Sequence, residues 1–227
     1  YLLHDFWHCV KLLWRDPQGQ LSLGVTTLFW GSGATMRLIV LDWAIIWLSF
    51  NLEQATRLIA IVAFGTAFGA VIAGKYVQLR QAFKVLPAGI LMGGLVVSML
   101  FVHNVYLASV LMFLVGALGG FFVVPLNAML QHRGHLLMGA GHSIAVQNFN
   151  ENLGILVMVG AHALLVKYFS SPVSADAAPV VIDYFSKTGG MPPMYAIVAG
   201  FGAMLGLVML GITLIHWLRV KRGELHT

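Results

Sequence analysis

The sequence predicts an all-α membrane protein: six transmembrane helices in one bundle, with both termini on the cytoplasmic side. Three observations carry that expectation. Of 227 residues, 59% are hydrophobic and only 9% charged, with a mean hydropathy of +0.86, whereas a soluble domain carries about 25% charge. Apolar stretches long enough to cross a bilayer, about 20 residues each, recur at roughly 21–48, 54–74, 83–102, 105–130, 139–168 and 192–218. The connectors between them divide the basic residues unequally.

The elements follow in order. Residues 1–17 place Leu2, Leu3, Phe6, Trp7, Val10, Leu13 and Trp14 at helical spacing, with His4, Asp5, Lys11 and Arg15 largely between them. This is the pattern of an interfacial amphipathic helix or an inter-domain linker. Asp16-Pro17-Gln18-Gly19 breaks it. The bundle is expected over 18–220, and 221–227 as a cytoplasmic tail. Short connectors join the spans: Ser49 to Glu53, Lys75 to Lys84, His103-Asn104 and Gln131 to His135. The segment from Ser170 to Gly190 is longer and contains Asp176, Asp183, Pro172 and Pro179, which fit an exposed irregular excursion better than a lid. Lys11, Arg15, Lys75, Arg80, Lys84, Arg133, Arg219, Lys221 and Arg222 fall on one side, against Arg57, Lys167 and Lys187 on the other. Basic connectors stay cytoplasmic, so the excursion lies outside.

That bias explains the net charge of +5 without nucleic acid, for which no basic stripe with interleaved aromatics exists. The single Cys9 excludes an internal disulfide and a cysteine metal site, and the scattered histidines show no ligand spacing, so neither cofactor nor metal is expected. No secretory signal opens the chain at Tyr1, and the sequence reads as part of a longer polypeptide.

Polar residues inside the spans carry the functional argument, since a bilayer core offers no water to satisfy them. Arg37 lies deep in the first span and cannot shed its charge. Glu151 lies about 18 Å into the fifth, at a comparable expected depth, so the two are expected to face one cavity, as a pair or as neighbours. Asp42, nearer the outer end of the first span, is expected at the outer mouth. Asn127 and Gln131, Gln147 and Glu151, and Asn148 and Asn152 are each four apart, which puts each pair on one helix face. These eight residues are the candidate substrate-binding set, the alternative being amides that merely join helices. Small residues four apart, Gly65 and Gly69, Gly89 and Gly93, Gly116 and Gly120, Gly202 and Gly206, are expected to let helices approach closely. Pro125 interrupts the fourth span and is expected either to kink it structurally or to mark a cavity wall. The third and sixth spans are plain and are expected at the lipid-facing periphery.

The contrast between polar and plain helices matches half of a major facilitator bundle by analogy. The segments Leu28-Phe29-Trp30-Gly31-Ser32-Gly33-Ala34-Thr35-Met36-Arg37, Gly119 to Gln131 and Gly139 to Asn152 closely resemble the C-terminal half of the bacterial lysophospholipid transporters, a branch of the major facilitator superfamily. The resemblance runs from about Leu21 to Leu218. The superfamily's loop motif survives only as Gly74-Lys75-Tyr76 with Arg80 and Lys84, and the external segment is longer than the family's. The resemblance implies a multi-pass inner-membrane protein moving lysophosphatidylethanolamine and lysophosphatidylglycerol to the cytoplasmic face. There an acyltransferase/acyl carrier protein synthetase would reacylate them. It also implies an N-terminal six-helix half as partner. A facilitator of another amphiphilic or zwitterionic solute or drug fits the same charges, and a non-transporting scaffold is a further alternative. An intramembrane protease would need Ser32 and His142 as a dyad.

Overall fold

The computed structural model describes residues 2–223, without the side chains of Leu2 and Leu3; Tyr1 and the tail beyond Gly223 lie outside the described residues. Among the described residues eight α-helices follow one another: α1 (Leu2–Arg15), α2 (Pro17–Leu48), α3 (Leu52–Tyr76), α4 (Leu86–Ser98), α5 (Val105–Met138), α6 (Ala140–Phe169), α7 (Pro179–Thr188) and α8 (Met194–Lys221). 3₁₀ turns at Leu79–Val85 and Met99–Phe101 extend α4 at both ends. With those turns included, six helices are long and apolar enough to cross a membrane, and the chain is a multi-pass membrane protein.

Helix ends are set locally. Asp16 caps α2 by accepting from the Gly19 N–H at 2.7 Å, with Pro17 in the first turn, where its missing N–H costs nothing. The span therefore starts at Pro17, and the expected four-residue break is a single capping residue. Asn51 and Gln54 form a reciprocal capping box on α3, and Asn104 caps α5.

Two expectations need correction. Gln131 to His135 is not a connector: α5 runs on to Met138 and turns only at Gly139, whose φ of 81° suits glycine. Polarity marks the exit from lipid, but nothing in those residues breaks a helix. Nor is 170–190 irregular throughout. A bridge between Ser171 and Met191 closes its base, and α7 buries Val181 and Phe185 in the bundle core with Trp43, Met99 and Met194. Helical spacing of these two side chains, four apart, makes the buried face.

Three helix pairs build the bundle, and small residues allow each. On α3 and α5, a Cβ on Gly65 or Gly69 would strike the backbone carbonyls of Phe113 or Ala117, and one on Gly116 or Gly120 those of Val62 or Thr66. On α4 and α8, a Cβ on Gly93 would come within 2.6 Å of Gly206 N. On α2 and α6, a Cβ on Gly31 would come within 2.8 Å of the Gly154 carbonyl, and one on Gly154 within 2.8 Å of that of Thr27. The expected close approach is thus a property of backbone against backbone. Pro125 is buried within α5, which continues through it. The plain α4 and α8 do pair with each other, yet α4 is half buried. The least buried spans are α6, at 6% of its most apolar stretch, and α3, at 22%, because their outward faces meet no other helix of this chain.

Helix α1 docks through Cys9, Val10 and Leu13 on Leu23, Leu130 and Val146, leaving Trp7 and Trp14 exposed. The α1–α2 junction is held by a two-pronged ion pair. The Arg133 Nε donates to Asp16 Oδ2 at 3.0 Å and its Nη2 to Oδ1, the planar match that arginine makes with a carboxylate. Beside it, Arg219 of α8 donates to Gln20 of α2 at 2.9 Å. Burial opposes the charge on Asp16, but the hydrogen bonds from Arg133 and the Gly19 N–H outweigh it and hold its pKa below the ordinary 3.8.

Two outcomes are expected. Gly69→Ala should lower unfolding free energy by about 1–3 kcal/mol through overpacking, whereas Gly206→Ala, whose Cβ stays 3.9 Å from α4, should cost less than about 0.5 kcal/mol; thermal unfolding in detergent compares them. Because the Asp16 pKa is depressed on folding, its stabilisation is full above 3.8 and is lost as pH falls through the lower folded value. The Tm should drop over that acid range, and Asp16→Asn should flatten that part of the profile.

Candidate functional site

One of the expected polar ladders closes into a network. Gln147 on α6 donates from Nε2 to the Asn127 Oδ1 on α5 at 3.2 Å and to the Glu151 carboxylate at 2.8 Å. The Trp30 indole of α2 approaches the same carboxylate. Three helices therefore meet at Glu151. Gln147 is buried, while Asn127 and Glu151 are half-buried, so the network has a dry side against α5 and an open one. Asn148 and Asn152 extend the open side. Both are exposed, and the Asn152 amide donates to the Asn148 carbonyl at 2.7 Å. Gln131 is exposed and separate from the network, because the extension of α5 carries it toward the bundle end.

Arg37 and Glu151 form no ion pair. Helices α2 and α6 run parallel, with Gly31 level with the stretch from Gly154 to Met158, which leaves Arg37 about 15 Å beyond Glu151 along the axis. The expected equal depth fails because α2 starts at Pro17, so Arg37 lies 20 residues beyond the helix start against 11 for Glu151 in α6. Arg37 is exposed and lies seven residues from Trp30, hence on the same face of α2. The neighbour form of the expectation is therefore the one compatible with this geometry.

Asp42 is half-buried close to Tyr184 of α7. Burial, followed by the Asp42 charge, pushes the Tyr184 phenol above its ordinary value. Ser32 and His142 are not brought together. The Ser32 hydroxyl donates to the Leu28 carbonyl at 2.7 Å, and Ser32 is buried in mid-α2, whereas His142 is exposed at the start of α6.

Sequence reasoning missed Trp30, although its spacing from Arg37 was readable. It also missed the buried Asn150, which donates to the Val146 carbonyl, and the buried His162. His162 lies on the same face of α6 as Glu151, eleven residues on.

Over 172 residues the chain is 42% identical to proteins named lysophospholipid transporter LplT from Yersinia pestis (strain Pestoides F) and from Yersinia pseudotuberculosis serotype O:3 (strain YPIII). The chain is homologous to the lysophospholipid transporters. The matched stretch is 75% of this chain but spans only 42% of the length of these LplT relatives. No family model and no solved structure matches the chain. These relatives are named as transporters, and six membrane-crossing helices with polar groups between them are consistent with transport.

If the Asn127–Gln147 contact served only to join helices, Gln147→Ala would cost about 0.6 kcal/mol and nothing more. Unfolding of the purified protein in bicelles should show a loss of that small size, which leaves room for any larger effect on transport to be recognised as functional.

Proposed function

We propose that this bundle is one half of a bacterial inner-membrane lysophospholipid transporter, moving lysophosphatidylethanolamine, and lysophosphatidylglycerol with it, toward the cytoplasmic face. The observation that carries the reading is the open polar face made by Trp30, Arg37, Asn148, Glu151 and Asn152 within membrane-crossing helices, on a chain homologous to transporters of that name. Lipid cannot satisfy exposed amides or a guanidinium at such depth. A hydrated path against a second six-helix half can. The sparse burial of α3 and α6 supports placing that second half there.

In this mechanism Arg37 takes the phosphate diester as a fixed cation, and Glu151 takes the ethanolamine ammonium. Their axial offset lets a zwitterion lie between them where an ion pair would close the site. Gln147 holds the Glu151 carboxylate in place, and Asn148 and Asn152 meet the glycerol hydroxyls. Rocking of the two halves about the site alternates access. Both termini, with Asp16 and Arg133, lie on the cytoplasmic side, and an acyltransferase/acyl carrier protein synthetase consumes the delivered lipid.

Uptake of labelled lysophosphatidylethanolamine into spheroplasts lacking their own transporter tests the reading. With the complete transporter, Arg37→Ala and Glu151→Ala should each reduce uptake by about tenfold or more, equivalent to about 1.4 kcal/mol, at normal expression. Uptake left intact by both would discard the site and keep the lipid; no uptake by a well-expressed wild type would leave a facilitator of another amphiphilic or zwitterionic solute.

A further inference from the structure

Beyond the Gly31–Gly154 contact, α6 and α8 stand apart over α2, and the space between them is a groove of about 680 Å³, within the range of small-molecule sites. Thr35 and Ile39 of α2 form one wall, Met158, His162 and Leu165 of α6 a second, and α8 from Pro193 to Met204 the third. Its lining is almost wholly apolar. It lies in the middle and far parts of membrane-crossing helices, so hydrocarbon rather than water is its natural filling.

The groove shares one face of α6 with the polar network. Glu151, Met158 and His162 follow one another at seven and four residues on α6, one face of that helix, so the wall that begins at the carboxylate becomes the wall of the groove about 10 Å further on. An amphiphile whose ammonium rests at Glu151 and whose phosphate rests at Arg37 has an apolar slot at the depth of Arg37, whose neighbours Thr35 and Ile39 line it. Resting on the transport reading above, we infer that this groove receives the single acyl chain of the transported lysophospholipid and sets which chain lengths are carried. A space of about 680 Å³ takes one chain, and a second chain on the same glycerol would have to lie outside it.

Gly200 lines the groove, and a Cβ added there meets nothing within 4 Å, so a larger side chain fills the slot without displacing backbone. Gly211, on the same helix and outside the groove, has the same freedom and serves as control. The experiment measures uptake of octanoyl, lauroyl and palmitoyl lysophosphatidylethanolamine by the complete transporter, with elution volume and expression matched. Gly200→Phe should cut palmitoyl uptake by about tenfold or more, because the methylenes it excludes lose their burial, while octanoyl uptake stays within about twofold. Gly211→Phe should leave all three unchanged.

Equal loss at every chain length, or no loss at any, overturns the inference. Wild type that takes up none of the three would instead sink the transport reading. The groove is then decided by a palmitoyl lysophosphatidylethanolamine carrying a terminal diazirine. Labelling of 157–169 or 193–204 that unlabelled lysophospholipid displaces supports the site. Labelling elsewhere, or labelling displaced only by diacyl lipid, assigns the groove to bulk bilayer and overturns it.

Discussion

Backbone-to-backbone contact at glycine is the constraint on which this bundle rests. In lipid, apolar side chains gain little by leaving one hydrocarbon for another, so helices associate where they come close enough for dispersion and peptide dipoles to count. Each of the three pairs meets this condition at its own small residues: Gly65 and Gly116 between α3 and α5, Gly93 and Gly202 between α4 and α8, Gly31 and Gly154 between α2 and α6. The rest of the architecture follows from which faces those contacts consume. The inward sides of α3 and α6 are spent on their partners, and their outward sides are left bare.

The α2–α6 contact does more than hold two helices. By fixing Gly31 against Gly154 it sets the stagger that brings Trp30 toward Glu151 and carries Arg37 past it. It also makes a fulcrum. On one side of the contact α6 is tied to α5 through Asn127, Gln147 and Glu151, with Trp30 of α2 beside them; on the other, α2 and α6 wall an apolar space together with α8. A polar half and an oily half of one interface are thus adjacent because a single pair of residues lacks side chains.

Much of this was legible in the chain. Hydropathy located six spans because crossing a bilayer demands length and apolarity together, and the four-residue spacing of small residues pointed at the pairs that pack. Spacing alone also found Gln147 with Glu151. What escaped has physical causes. Residues 131–138 are polar yet helix-compatible, so their composition signals departure from lipid without signalling a turn. Helix α7 is too short for a hydropathy window, and its Val181 and Phe185 are buried by tertiary contact. The relation of Arg37 to Glu151 depends on where α2 begins and on which of its residues meet α6, and the second of these no single helix encodes. His162 among apolar neighbours gave no pattern, since its setting is built by three helices distant in sequence.

Helix α7 has a mechanical meaning. Phe185 and Val181 are inserted among side chains of α2, α4 and α8, and the strand-like bridge from Ser171 to Met191 ties both ends of the excursion together. To lift α7 away would expose a phenylalanine and uncover the core beneath it. Any opening at this end of the molecule that keeps this core intact therefore carries α7 along with the bundle. The segment behaves as a keystone rather than a flap, and the motion it permits is that of the whole arch.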